Sequence, residues 1–259
     1  VNGKLPVIVA IGGGGTTGVE LAGEIEGWLC SKEICGPGKA KVVVVEGGPA
    51  ILKQFPQRIR RAAMRRLKRL GVGVVTNERV ARVNKNEIIL SSEQKLPFSV
   101  FVWAGGIRAP RVVAENNELK TAGGGCLETT SEMRCVHKDG TPSPHVFAIG
   151  DTAYCLNRKT GGPVPAVARA AIDQGLIAAA HIAYDIAKAR GITPAFRLAP
   201  YHPPASYSTV IPIGGKFAIA KIGPIIIVGF WGWIVKGLIE LNYLFAITSP
   251  LHALAIWVR

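Results

Sequence analysis

An apolar run, Val7-Ile8-Val9-Ala10-Ile11, leads without a break into Gly12-Gly13-Gly14-Gly15-Thr16-Thr17-Gly18-Val19-Glu20. The run has the length of a buried strand, and residues 19–28 have the makings of a helix. The spacing G-x-G-x-x-G falls on Gly13, Gly15 and Gly18. Each glycine answers a separate steric demand. The first permits a tight turn, the second lets backbone approach a pyrophosphate, and the third lets helix and strand pack closely. The helix N-terminus can then direct free N–H groups at the phosphates. Glycine clusters also make ordinary turns, but here strand and helix stand on either side in the required order. The stretch therefore reads as the first turn of an α/β dinucleotide fold, with Thr17 a further contact in the loop.

The next elements keep the order of such a fold. Lys41-Val42-Val43-Val44-Val45-Glu46 is a β-branched run of the kind buried in parallel sheets, and it ends in an acid. An acid at the end of the second strand accepts hydrogen bonds from the adenosine ribose and repels a 2′-phosphate, so Glu46 favours NADH over NADPH. Residues 56–70 predict a very basic helix, with Ile59, Ala63, Leu67 and Leu70 toward the sheet and its arginines on a solvated face, a dedicated anion site being the second reading. A third strand is expected after Gly71, then short strands over 79–84, 87–90 and 98–103, with a tight turn at Asn84-Lys85-Asn86. The last ends in Trp103-Ala104-Gly105-Gly106, where Gly105 would let backbone approach a cofactor.

A second anchor is His145-Val146-Phe147-Ala148-Ile149-Gly150-Asp151. It predicts a strand that delivers Gly150 and the Asp151 carboxylate to a ligand hydroxyl, such as the ribityl chain of a flavin. An alanine-rich helix is expected from Val164 or Ala166 to Ala189, with its positive N-terminal end available to a reduced flavin pyrimidine. From Tyr201 the chain turns apolar. Residues 223–235 and 238–258 read as two amphipathic segments, too short and too interrupted to span a bilayer. Trp231, Trp233, Tyr243, Phe245 and Trp257, flanked by Lys216, Lys221, Lys236 and Arg259, fit an interfacial anchor. A buried core or dimer helix is the other reading.

Lys and Arg outnumber Asp and Glu by 31 to 17, a net charge of +14. An excess of this size favours an anionic partner: a membrane surface, nucleic acid or phosphate-rich ligands. No aromatic pattern resembles a base-stacking platform, so nucleic acid is not expected. Cys30, Cys35, Cys126, Cys135 and Cys155 form no C-x-x-C pair. They indicate neither a zinc site nor a disulfide scaffold, and a reducing compartment fits them best. The Cys30/Cys35 spacing resembles a disulfide-reductase redox pair, yet it falls at the tail of the first helix, and two incidental thiols are expected. The opening Val1-Asn2-Gly3-Lys4-Leu5-Pro6 reads like a linker within a longer protein.

Four signatures now stand in sequence: residues 13–24, residues 102–106, residues 146–151, and Pro165-Ala166-Val167-Ala168-Arg169-Ala170-Ala171-Ile172-Asp173-Gln174-Gly175. With the aromatic tail, they resemble the type II NADH:quinone oxidoreductases, flavoproteins akin to the pyridine nucleotide-disulphide oxidoreductases. The resemblance implies an α/β chain with two Rossmann-like nucleotide-binding domains, the FAD domain incomplete, and a C-terminal amphipathic membrane anchor. The implied divisions are an NADH domain over 1–108, the later part of an FAD domain over 109–200, and a membrane and dimerisation region over 201–259. It implies FAD and NADH as cofactors, quinone as acceptor, a homodimer, no ion pumping, no metal, and a peripheral place on the cytoplasmic face of the cell membrane. Gly13, Gly15 and Gly18 would hold the NADH pyrophosphate and Glu46 its ribose. Glu20 matches a glutamate near the nicotinamide–flavin stack and would handle protons. Asp151 would bind the ribityl or phosphate region of FAD. Ala168, Arg169 and Ala170 would face the flavin pyrimidine, and Lys236 would approach the flavin from the C-terminal helix. The family usually carries glutamine where Arg169 stands; an arginine can also donate to a quinone carbonyl. A soluble flavin-dependent reductase, a sulfide:quinone reductase and a non-catalytic nucleotide-binding segment remain as alternatives.

Overall fold

The computed structural model describes residues 7–34 and 39–257. They group into two compact units, Val1–Gly106 with Ser208–Arg259, and Ile107–Tyr207. In the first unit, β1 (Val7–Gly12) enters the glycine turn and α1 (Thr16–Ser31) leaves it. Then come β2 (Ala40–Glu46), α2 (Gln57–Leu70) and β3 (Gly73–Thr76). A three-stranded antiparallel meander is next: β4 (Val80–Val83), β5 (Glu87–Leu90) and β6 (Lys95–Pro97). β7 (Val100–Trp103) returns to the first sheet, giving the parallel order β3-β2-β1-β7. The β-branched runs of β1 and β2 are buried because helices cover the sheet; Ile11, Val42 and Val44 are fully enclosed. Ile59, Ala62, Ala63 and Leu67 turn the apolar face of α2 into the same core, while Leu70 is only half-buried.

The second unit starts with a single turn, α3 (Arg111–Ala114). Its strands form two small pairs: β8 (Leu127–Glu128) runs parallel to β11 (Ala153–Tyr154), and β9 (Arg134–Val136) antiparallel to β10 (Pro142–Phe147). Helix α4 (Ala168–Ala189) closes it. Among the described residues only one of the two expected Rossmann-like sheets is formed. The strand leading to Asp151 has an antiparallel hairpin partner here and no parallel neighbour.

The chain then rejoins the first unit with an antiparallel sheet, β12 (Thr209–Pro212), β13 (Ala218–Ile222) and β14 (Ile225–Gly229), followed by α5 (Phe230–Ile247) and α6 (Pro250–Trp257). Ile211, Ile213 and Ile219 pack into the core formed by β1, β2, α1 and α2.

Several expectations are corrected. α1 begins three residues before residue 19, and α4 begins after Ala166, since Val167 is still extended. The last strand of the expected meander splits: Lys95–Pro97 completes the meander, and Val100–Trp103 pairs with β1. The apolar stretch 223–235 is not one amphipathic segment, because Gly229, at φ +93°, divides it between β14 and α5. Cys30, on the last turn of α1, is disulfide-bonded. It is not the incidental thiol expected, and it lends no support to a reducing compartment. Cys35 lies outside the described residues; Cys126, Cys135 and Cys155 carry free thiols.

A core shared between the sheet and the later strands makes Ile219→Ala informative. Deleting a fully buried isoleucine side chain costs about 2–4 kcal/mol. The loss is expected to speed amide hydrogen exchange in α1 and α2 as well as in residues 208–257. Exchange confined to the later residues would show instead that they fold as a detachable tail.

Candidate nucleotide and proton-handling site

The glycine turn is built by exclusion. Gly13 sits at φ +119°, and a β-carbon there would overlap the Ala104 carbonyl. A β-carbon at Gly18 would overlap the Gly13 carbonyl, so α1 could not seat against β1. Gly15 is the contrast: nothing lies within 4 Å of the place its β-carbon would take. That open space faces the start of α1, where Gly15 is the N-cap, no side chain caps the helix, and no acid occupies the first turn. A pyrophosphate can approach this backbone and meet N–H groups and the positive end of the helix. Thr17 lies in that first turn.

Glu46 stands at the C-terminal end of β2, as an adenosine-binding acid should. Its Oε2 accepts from the Gly14 N–H at 2.7 Å and its Oε1 from the Gly48 N–H at 2.7 Å. The carboxylate is thus clamped to the turn it serves, and the remaining lone pairs stay available to a ribose. Beside it is a cavity of about 250 Å³ lined by Gly12, Gly13, Glu46, Arg79, Trp103 and Gly105, with Gly47, Glu78 and neighbouring backbone. Sequence reasoning missed Arg79. Its aliphatic stem lies across Gly47, where a β-carbon would come within 2.9 Å of it. The only hint was its place at the head of a strand that nothing in the sequence assigned to this cavity. The turn and Glu46 fit a dinucleotide.

Glu20 lies one turn into α1. Burial pushes its carboxyl up to about 7, the Lys236 ammonium on α5 pulls it down, and Glu24 pushes it up. Lys236 itself donates to Glu240 Oε1 at 2.5 Å, an i,i+4 pair on α5. Glu24 accepts from the Gly214 N–H at 3.2 Å. The structure therefore brings Glu20 and Lys236, far apart in sequence, into one electrostatic group, Glu20 on the helix whose start forms the nucleotide turn and Lys236 on α5. A carboxyl that titrates near neutrality can take and release a proton.

The remaining expected residues belong to the second unit. Gly150, at φ +62°, donates its N–H to the buried Gln174 Oε1 at 2.7 Å. Gln174, six residues into α4, lies inside one of the four signatures but had no expected role. The exposed Asp151 makes no side-chain hydrogen bond or ion pair among the described residues. Ala168 opens α4, with neither a side-chain cap nor an acid in its first turn. A free carboxylate after a left-handed glycine, together with an open helix start, fits the ribityl and pyrimidine ends of a flavin. Ala170, two residues into α4, is buried. The Arg169 guanidinium is engaged with Asp173, Nε to Oδ2 at 3.1 Å.

These features can be set beside known proteins. The family model for pyridine nucleotide-disulphide oxidoreductases matches residues 2–175, and the chain belongs to that family. It is 28% identical over 261 residues to the type II NADH:quinone oxidoreductase Ndh of Mycobacterium tuberculosis, covering 95% of this chain and 52% of that one. It is 31% identical over 175 residues to a type II NADH:quinone oxidoreductase of Haemophilus influenzae, covering 64% of this chain and 37% of the other. The chain thus spans about half the length of the first of these relatives and less of the second. In fold, it is similar to NDH2 from Plasmodium falciparum, solved in complex with NADH, with a TM-score of 0.67 and 17% identity over 97% of this chain and 65% of that one. A ferredoxin reductase from Rhodopseudomonas palustris gives a TM-score of 0.59 and 18% identity over 83% of this chain and 46% of that one.

The Glu20 shift has a definite sign. The folded pKa, about 7, exceeds the ordinary 4.5, so the fold binds the proton more tightly than the unfolded chain does. The resulting stabilisation is complete below the ordinary carboxylate range and is lost as pH rises through about 7. Glu20→Gln stays neutral and escapes that loss. Urea unfolding at stepped pH is expected to show the variant gaining on the parent between pH 4.5 and 7, with a constant difference above. A difference that does not vary with pH would mean Glu20 titrates as an ordinary exposed carboxyl.

Proposed function

We propose that this chain is the NADH-accepting and flavin-contacting portion of a type II NADH dehydrogenase, which passes electrons from NADH to a membrane quinone without moving ions. One observation carries the reading: α1 bears both the open glycine turn at its start and, one turn later, a carboxyl poised near neutrality beside Lys236. A dehydrogenase that only binds a nucleotide has no need of the second feature.

Each part has its task. Gly13, Gly15 and Gly18, with the N–H groups at the start of α1, hold the NADH pyrophosphate, and Thr17 adds a contact in the loop. Glu46 accepts from the adenosine ribose, and Gly105 lets the cofactor approach backbone. Bound FAD supplies a two-electron acceptor that the side chains of this chain lack. Gly150, Asp151 and the start of α4 at Ala168 hold its ribityl and pyrimidine regions, with Arg169 at the rim. Glu20 holds a proton on its carboxyl at neutral pH and releases it as the local charge changes. Lys236 limits how far that carboxyl's pKa rises and is itself steadied by Glu240.

The tail completes the proposal. No described helix is long and apolar enough to cross a membrane. α5 and α6 nevertheless expose Phe230, Trp231, Tyr243, Leu251 and Trp257. We read this face as a peripheral seat on the cytoplasmic face of the cell membrane, through which a quinone would arrive, with a second copy of the chain as the other occupant of part of it.

The full-length flavoenzyme carrying Glu20→Gln tests the chemistry. Parent protein is expected to lose its flavin colour with NADH and regain it with a short-chain quinone. The variant should bind NADH normally while one half-reaction slows about 100-fold or more, the usual contribution of a positioned acid or base. Unchanged rates in both half-reactions would remove Glu20 from the mechanism. Parent protein that recovers with ferredoxin or a disulfide but not with quinone would move the function to a soluble reductase.

A further inference from the structure

The basic helix α2 has no part in the nucleotide site. Arg58, Arg61, Arg65, Lys68 and Arg69 are exposed and form no ion pair among the described residues. Arg58, Arg61 and Arg65 follow at steps of three and four, with Lys68 and Arg69 three and four beyond Arg65, and like charges at that spacing repel. The helix carries no acid to relieve them.

One member of the cluster is built in rather than merely solvated. Arg66 Nε donates to the Ile213 carbonyl at 2.9 Å and Nη2 to the Gly214 carbonyl at 2.5 Å. Its guanidinium lies over the Phe217 ring, 4.8 Å from the centroid. Burial, and then Arg69, lower its pKa, while Glu24 raises it. Between α2 and the β12–β14 sheet lies a cavity of about 310 Å³ lined by Ala62, Arg65, Arg66, Arg69, Phe217 and Val228. Three guanidinium groups thus meet an apolar floor, and no carboxylate lines the space. The same sheet leads into the aromatic start of α5, where Lys216 lies 5.6 Å from the Trp233 ring centroid and Trp231 is exposed.

We propose that this face of α2 is a second membrane contact, one that selects anionic phospholipid. Resting on the reading of α5 and α6 as a surface seat, it adds a source of lipid preference separate from them. A lipid phosphate sits among Arg65, Arg66 and Arg69, where guanidinium groups pair bidentately with phosphate oxygens. The lipid's apolar portion lies against Phe217 and Val228. A nucleic acid would match the charge but not the apolar floor or the exposed aromatic helix beside it.

The test is co-sedimentation of the chain with vesicles of phosphatidylcholine alone or phosphatidylcholine mixed with phosphatidylglycerol, at low and high salt. The paired variant Arg65→Gln/Arg69→Gln alters only exposed side chains, and circular dichroism verifies its fold. Parent protein is expected to prefer the mixed vesicles, and to lose that preference at high salt. The variant should bind mixed vesicles about 10–30-fold more weakly and phosphatidylcholine vesicles unchanged, each cation near an anionic surface contributing about tenfold or less. Parent protein that binds both vesicles equally, or a variant that keeps the preference, overturns the proposal while the seat on α5 and α6 stands. Parent protein that binds neither overturns both. Release from mixed vesicles by inorganic pyrophosphate or double-stranded DNA, at concentrations that leave ionic strength unchanged, overturns it in favour of a soluble polyanion.

Discussion

The first unit depends on one close approach. Helix α1 can lie against β1 only because Gly18 has no β-carbon to meet the Gly13 carbonyl. That contact fixes where the helix starts, and so where its unpaired N–H groups point. It also fixes which later residues of α1 are buried: Val19 and Ala22 go into the core, and Gly23 packs against Ile213 and Gly214. A side chain at Gly18 would move the nucleotide turn, the carboxyl of Glu20 and the seat of the β12–β14 sheet together, since all three are referenced to one helix.

The electrostatics follow from the same placement. Glu20 and Glu24 both lie on α1, close enough that each charge opposes the other. Elements that arrive much later in the chain offset that cost. Gly214 donates its backbone N–H to Glu24, and Lys236 holds the rise in the Glu20 pKa to a neutral value. Burial alone would drive the carboxyl higher, and an unshielded ammonium would hold it ionised. Because Lys236 is also paired with Glu240, its pull on Glu20 is partial. A carboxyl near 7 is thus the balance of burial and Glu24 on one side against a shared lysine from α5 on the other.

The β1–α1–β2–α2–β3 order was legible because each element is written in a different alphabet. Parallel buried strands are β-branched runs, α2 alternates arginine with a narrow apolar stripe, and glycines mark the turn. Glu46 could be placed for the same reason, since it closes the second strand; Glu20 came only from the family resemblance. The later chain was not legible in this way. A short apolar run such as 223–235 has no period that separates strand from helix, and only the left-handed Gly229 divides it. β7 reads as a meander strand until it is paired with β1, a choice made by the core and not by its own residues. Arg79 and Gln174 carry no local signal either: one is defined by what lies across Gly47, the other by the N–H of Gly150.

α5 starts at Phe230, directly after Gly229 ends β14, and β14 is paired along its length with β13, whose Ile219 is part of the core. There is no linker in this path. Whatever surface receives α5 therefore receives a rigid footing and not a tether. A tethered domain searches a volume and presents its openings at random; a footed one keeps a fixed attitude, with the mouth of its nucleotide turn at a set height and angle above the surface. On the proposed seat of α5 and α6, that footing would set the direction from which a dinucleotide enters.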